Sequence, residues 1–217
     1  MISWLKRTHL LQWLPDGVGL TRMPRREKVL YLTFDDGPDP RYTSALLDLL
    51  KIHQVQATFF LIGRQAKLHP ELVERVIAEG HQIGNHSYSH PRFRELSLAQ
   101  KMEEIDRTDQ VLADFDGIRH HAVRPPSGAF SFALTLHFAR CRRTLTYWSY
   151  DSLDYQHRSA VELVDQMRQK PPVAGDVVLM HDDSDCCIEM LRTLLPEWRA
   201  AGLGFAALPA QRSGRDA

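Results

Sequence analysis

Two adjacent carboxylates, Asp35 and Asp36, close an apolar run and are followed by Gly37 and Pro38. Like charges this close repel unless one is neutralised or a cation holds them. A metal ion meets that need, with one aspartate as a ligand and the other beside a water on the ion. Alone, Asp-Asp-Gly reads more simply as an ordinary surface turn. Further along, Asn85-His86-Ser87-Tyr88-Ser89-His90 sets two histidines four residues apart. Both reach one metal if the backbone there is helical. Ser87 stands where an HExxH zinc protease carries its glutamate base, so the base must come from elsewhere, and Asp35 or Asp36 is available. One Asp and two His form a facial set with open positions for water and substrate. Zinc suits this set, and cobalt, nickel or iron accept the same ligands.

Three later motifs can complete such a site. Arg124-Pro125-Pro126-Ser127-Gly128 puts a permanent charge before a rigid bend. The arginine is placed to orient a carboxylate base, and the amides after Pro126 can donate to an oxyanion. Asp151-Ser152-Leu153-Asp154-Tyr155 supplies two acids and an aromatic. His181 ends the apolar run Val178-Leu179-Met180, a good place for an acid–base imidazole. Asp182 and Asp183 read as turn residues leading into the next helix.

These groups need a scaffold that brings distant segments together. Short apolar runs alternate with amphipathic stretches. Strands are expected at 29–34, 57–61, 81–85, 121–124, 144–148, 176–180 and 205–208. Helices are expected from Thr43 to His53, from Pro70 to Gly80, after Ser97, from Phe130 to Arg140, after Ser159 and around Ile188 to Leu195. Alternation of this kind makes parallel βα units. A closed or nearly closed β/α barrel is the first expectation and a doubly wound open sheet the second. In both, catalytic groups gather at the C-terminal ends of the strands, where every motif above falls.

Composition excludes several classes. With 27 basic and 27 acidic residues in 217, the chain has no broad field to attract nucleic acid. Cys141, Cys186 and Cys187 make neither a disulfide framework nor a CxxC pair, and a reducing compartment fits them best. No run approaches the ~20 apolar residues of a membrane span. No secretory signal is read in the N-terminal residues, and the cytoplasm is the expected compartment. Trp4, Leu5, Leu10, Leu11, Trp13 and Leu14 can line one side of a short helix. Such stripes usually pack on a domain; the other reading is a weak contact with the inner face of a membrane. The expected division is an N-terminal extension packing on the domain (1–27), one catalytic domain (28–210) and a flexible tail (211–217).

Taken together, the TFDDGP element, the HSYSH element, Arg124-Pro125-Pro126, Asp151 to Tyr155 and His181 resemble the polysaccharide deacetylase family. This family is also called the NodB-homology family, or carbohydrate esterase family 4. The resemblance spans Thr33 to His181. It implies a distorted (β/α)7 barrel and a divalent cation, with zinc first, held by Asp36, His86 and His90. It further implies Asp35 as general base, Arg124 as its orienting partner, His181 as general acid and Asp154 as the partner of that histidine. Leu179 would line an acyl-methyl pocket, with Ser127 and Tyr155 against the substrate. Two positions depart: Ser127 replaces an aromatic residue, often Tyr, and Tyr155 replaces a Trp. The implied reaction is removal of an N-acyl group, first of all acetyl, from an amino sugar in a polysaccharide, oligosaccharide or glycan precursor. Alternatives are a deformylase or deacylase of a lipid-linked amino sugar, and a catalytically silent sugar-binding protein on the same fold.

Overall fold

The computed structural model describes residues 19–156 and 158–210. The expected apolar stripe at 4–14 and the tail at 211–217 lie outside the described residues. The strands are β1 (Gly19–Leu20), β2 (Val29–Asp35), β3 (Thr58–Leu61), β4 (Gln82–Asn85), β5 (Leu145–Thr146), β6 (Tyr150–Asp151), β7 (Val177–His181) and β8 (Gly204–Phe205). The helices are α1 (Thr43–Ile52), α2 (Gly63–Leu68), α3 (Pro70–Ala78), α4 (Leu98–Asp116), α5 (Phe132–Cys141), α6 (Ala160–Gln169) and α7 (Asp185–Ala200). None of the helices is long and apolar enough to cross a membrane.

The strands make the expected distorted β/α barrel. All strand pairs are parallel, in the order β4-β3-β2-β7-β6, and β8 pairs with the start of β2. The far wall is thin. Val123 bridges Asn85 on one side and Leu145 on the other, and β1 lies along β5. Residues 145–151 therefore serve both walls: Leu145–Thr146 faces the Val123 side, and Tyr150–Asp151 pairs with β7.

Strand periodicity decides what faces inward. Along β2, Leu30, Leu32 and Phe34 pack outward against the helices in one apolar cluster. Tyr31 packs in the second cluster, inside the barrel, and Thr33 and Asp35 share its face, where both meet Arg124. β7 repeats the pattern, with Val178 and Met180 outward and Val177 and Leu179 inward. Each fully buried Leu or Phe contributes roughly 1.5–3 kcal/mol. A slip of one residue would turn those side chains inward, so burial fixes the register. In the fixed register Asp35 pairs with His181, and two chemical groups from distant segments stand side by side.

The local signals for helices were sound. Ser97 and Ser159 cap α4 and α6 through capping boxes with Gln100 and Glu162. Pro70 opens α3, and Gly80 lies just past its end with φ +84°. Three expectations need correction. The strand expected at 121–124 shrinks to Val123, because Pro125 and Pro126 forbid further pairing. The strand expected at 144–148 is only Leu145–Thr146, and β6 follows at Tyr150–Asp151, where no strand was expected. The strand expected at 205–208 is Gly204–Phe205, because its pairing with β2 covers only Val29 and Leu30. Before β2, β1 lies on β5 and Arg22 pairs with buried Asp176 at 2.7 Å.

Candidate active site

The turn after β2 brings two neighbouring carboxylates to one side. Asp35 is the last strand residue, and Asp36 adopts φ +76°. This left-handed conformation, tolerated by Asp, reverses the alternation that would have sent the second carboxylate outward. His86 follows β4, and its ring centroid lies 5.0 Å from that of His90. The helix expected between these two histidines is not there. Ser87 and His90 have φ +69° and +54°, and the segment is a loop. Glu104 on α4 holds it, accepting from the Tyr88 and Ser89 amides at 3.0 and 2.8 Å. Asn85 accepts from the Ser87 amide and donates to Asp109 at 2.8 Å, tying the loop to the same helix.

The three groups converge. Asp36 Oδ1 lies 3.4 Å from His86 Nε2 and 3.3 Å from His90 Nε2, and one ligand atom from each residue fits within 4.8 Å of the others. Burial alone would raise the Asp36 carboxyl, but the imidazoles of His86 and His90 outweigh it and hold the group below the usual range. His86 is 2 % exposed, and its Nδ1–H donates to the Arg124 carbonyl at 2.7 Å. That bond leaves Nε2 as the lone-pair atom facing Asp36, the arrangement a metal-ligating histidine uses. Asp36 Oδ1 is itself buried and has no hydrogen-bond partner among the described residues. A divalent cation would resolve both features.

Arg124 is fully buried and runs behind the site. Its Nη1 donates to Asp35 Oδ1 at 2.7 Å and to Thr33 Oγ1 at 2.8 Å, and Nη2 donates to the Tyr147 carbonyl at 3.0 Å. The guanidinium lies 4.1 Å from the centre of the Phe60 ring. Asp35 therefore has one fixed orientation, with Oδ2 turned toward His86 at 3.7 Å. On the other side, Asp154 grips His181 twice. One oxygen takes the ring Nδ1–H at 2.8 Å and the other takes the backbone amide at 2.7 Å. Burial disfavours the charged imidazole, but Asp154, with Asp35 and Asp36 farther off, pushes His181 up to about 10. It is an imidazolium at neutral pH, with Nε2–H free of Asp154.

A cavity of about 570 Å³ joins these groups, walled by Leu179, Trp148, Ser127 and Tyr155. Ser127 has φ +53°. The amides of Gly128 and Ala129 bond the carbonyls of Pro125 and Pro126, whereas the Ser127 amide donates to no carbonyl among the described residues. The Tyr155 ring stands edge-on to His181, 5.4 Å between centroids. All ten residues singled out from the sequence thus meet at one strand edge. A smaller cavity of about 200 Å³ opens at the N-terminal strand ends, beside Thr58, Gln82 and Thr144, and contains none of them.

Three participants were missed. Glu104 and Asn85 shape the histidine loop, but a polar residue on a long amphipathic helix gives no sign of that task. Trp148 was read as part of a strand, although an aromatic at a strand end is a fair signal for a cavity wall. Asp182 does not serve the next helix. Ser184 is the residue at that N-cap, and Asp182 turns inward beneath Gly37, 1 % exposed. Burial pushes its carboxyl up to about 8.

Residues 22–141 match the family model for polysaccharide deacetylase. The chain is 34% identical over 174 residues to the peptidoglycan-N-acetylmuramic acid deacetylase PdaC of Bacillus subtilis, covering 77% of this chain and 36% of that protein. It is 32% identical over 190 residues to a peptidoglycan-N-acetylglucosamine deacetylase of Bacillus cereus, covering 86% and 69%. The chain thus spans about a third of the first relative and about two thirds of the second. Among solved structures, the Bc1960 peptidoglycan N-acetylglucosamine deacetylase superposes with a TM-score of 0.82 at 30% identity, covering 91% of this chain and 96% of that one.

Proposed function

This chain belongs to the polysaccharide deacetylase family, and from that membership we propose that it hydrolyses the N-acetyl group of an amino sugar in a glycan polymer, with zinc as its cation. One observation carries the reading. Asp36, His86 and His90 converge in a cavity that has the Arg124–Asp35 pair on one side and the Asp154–His181 pair on the other. The relatives act on N-acetylglucosamine or N-acetylmuramic acid of peptidoglycan, and a polymer of that kind is the proposed substrate class.

An amide resists hydrolysis because its carbonyl is a poor electrophile and its amine a poor leaving group. A divalent cation held by Asp36, His86 and His90 supplies Lewis acidity, which polarises a carbonyl and acidifies water. The chain's own groups do the rest. Asp35, fixed by Arg124, takes a proton from the attacking water as its oxygen bonds to the acyl carbon. The Ser127 amide donates to the carbonyl oxygen as negative charge builds there. Leu179 and Trp148 give the acyl group an apolar wall and exclude water. When the C–N bond breaks, His181 Nε2 gives its proton to the nitrogen, and Asp154 has kept that proton in place until then. The products are acetate and a free amino sugar.

A catalytically silent sugar-binding protein would lack a member of this set, and here every member stands in register. The test is acetate release from acetylated chitooligosaccharides and peptidoglycan fragments, with metal content measured in parallel. Chelation should abolish release and zinc should restore it. Asp35→Asn should lower turnover by ~10²–10⁴ while zinc still binds. Loss of zinc from that variant would show that the two aspartates exchange roles. Stoichiometric zinc without release from any acetylated glycan would favour the silent protein.

A further inference from the structure

Asp182 has no part in the chemistry above, yet it is among the most buried carboxyls of the protein. It follows β7, and its amide donates to the Asp35 carbonyl at 3.3 Å. Its Oδ2 accepts from Thr43 Oγ1 at 2.7 Å, and that hydroxyl accepts from the Asp39 amide at 2.8 Å. Asp182 therefore holds both ends of the turn from Asp35 to Asp39. Its other oxygen, Oδ1, is buried and has no hydrogen-bond partner among the described residues. An unsatisfied buried oxygen is destabilising, so an apolar residue would serve better if filling space were the only need.

Gly37 lies directly above. A Cβ on Gly37 would sit 2.2 Å from Asp182 Oδ2, 2.5 Å from Oδ1 and 2.6 Å from Cγ. Gly37 is not one of the left-handed residues of the chain. The three atoms nearest to a side chain there all belong to the Asp182 carboxyl. The neighbouring Asp36 does adopt a left-handed conformation, which is strained for a non-glycine residue and must be held by its surroundings.

We infer that Asp182 is a positioning residue: its carboxyl occupies the place of the side chain that Gly37 lacks and, with Thr43, clamps the turn that aims Asp35 and Asp36 into the cavity. Gly37 and Asp182, 145 positions apart in sequence, are one structural unit. The inference rests on the proposed function: its affinity arm needs the zinc site, and its turnover arm the hydrolysis as well.

The experiment is a cycle of G37A, D182A and the double variant, with D182N and T43V beside it. Zinc affinity is read by titration of the apo proteins, and kcat and KM with an acetylated chitooligosaccharide. Thermal unfolding of each apo protein shows whether it folds. D182A should lower zinc affinity and kcat by ~10–100-fold, as loss of a group that orients metal ligands does, with KM within about threefold. D182N, equal in shape, should stay within about threefold of wild type in both. G37A should lower kcat at least ~10-fold in the wild-type background and less than ~2-fold in D182A, because the two changes act on one contact. Equal penalties for G37A in both backgrounds would overturn the inference, as would D182N behaving like D182A or D182A matching wild type. Should D182A not fold, T43V decides: reduced zinc affinity supports the clamp and wild-type affinity and turnover overturn it. Wild-type protein that binds zinc but releases no acetate would defeat the hydrolase reading and leave the zinc arm decisive for Asp182.

Discussion

Breaking the Arg124–Asp35 pair should cost far more than either partner's hydrogen bonds suggest. Arg124 is fully buried, Asp35 is 4 % exposed, and their closest atoms are 2.7 Å apart. With charge centres roughly 4 Å apart and an effective dielectric of about 20, the attraction is ~4 kcal/mol. Arg124→Met leaves a buried carboxylate without its hydrogen-bonded countercharge, and losing one partner of a buried pair costs ~3–5 kcal/mol. Asp35→Asn leaves the guanidinium its bonds to Thr33 and Tyr147 and should cost less, ~1.5–3 kcal/mol. The double variant has no buried charge to strand. Its destabilisation should fall ~2–3 kcal/mol short of the sum of the single ones. Urea denaturation of the apo proteins, followed by tryptophan fluorescence, measures each corner of the cycle. All three variants should lose most or all turnover, so stability and turnover separate: the double variant should be about as stable as Arg124→Met alone and regain no turnover. Additive costs, within ~0.5 kcal/mol, would refute the claim that this arginine exists to hold this carboxylate.

Other predictions follow from the same structure. His81 is buried and accepts the Ala57 amide on Nδ1 at 3.1 Å, and burial lowers it to about 4. The unfolded chain binds a proton near pH 6.5 and the folded one only near 4, so stability is full above pH 6.5 and falls as pH drops through that window. The loss approaches ~3 kcal/mol at ~1.4 kcal/mol per unit, and His81→Asn should flatten this part of an acid-unfolding curve. Asp154→Asn removes the partner that raises His181, so the alkaline limb of the kcat profile should move to lower pH; an unmoved limb would assign it to another group. Glu104→Gln loses charge but keeps an acceptor for the Tyr88 and Ser89 amides, whereas Glu104→Ala frees the histidine loop. Zinc affinity should fall ~10-fold or more only in the alanine variant.

The site was legible in the sequence because it lies at strand ends, where a polar residue interrupts an apolar run. Asp35 and His181 each close such a run, and burial of Leu30, Leu32 and Phe34 and of Val178 and Met180 fixes the register that makes them neighbours. What escaped depends on backbone conformations that residue types do not announce. The His86–His90 spacing suggested a helix, and a loop with two left-handed residues achieves the convergence instead. The far wall was overdrawn, because a short apolar run such as Ala122-Val123 satisfies strand periodicity while the prolines after it leave room for one bridge. Asp182 looked like a turn residue because its partner, Gly37, carries no side chain and sits 145 positions away.

The most direct test of the central claim is an anomalous-scattering map from a crystal of the zinc-loaded protein. One peak should lie ~2.0–2.2 Å from a carboxylate oxygen of Asp36 and from Nε2 of His86 and His90, with Asp35 and His181 on either side of the open positions. Zinc bound elsewhere, or a peak coordinated by Asp35 in place of Asp36, would contradict the account.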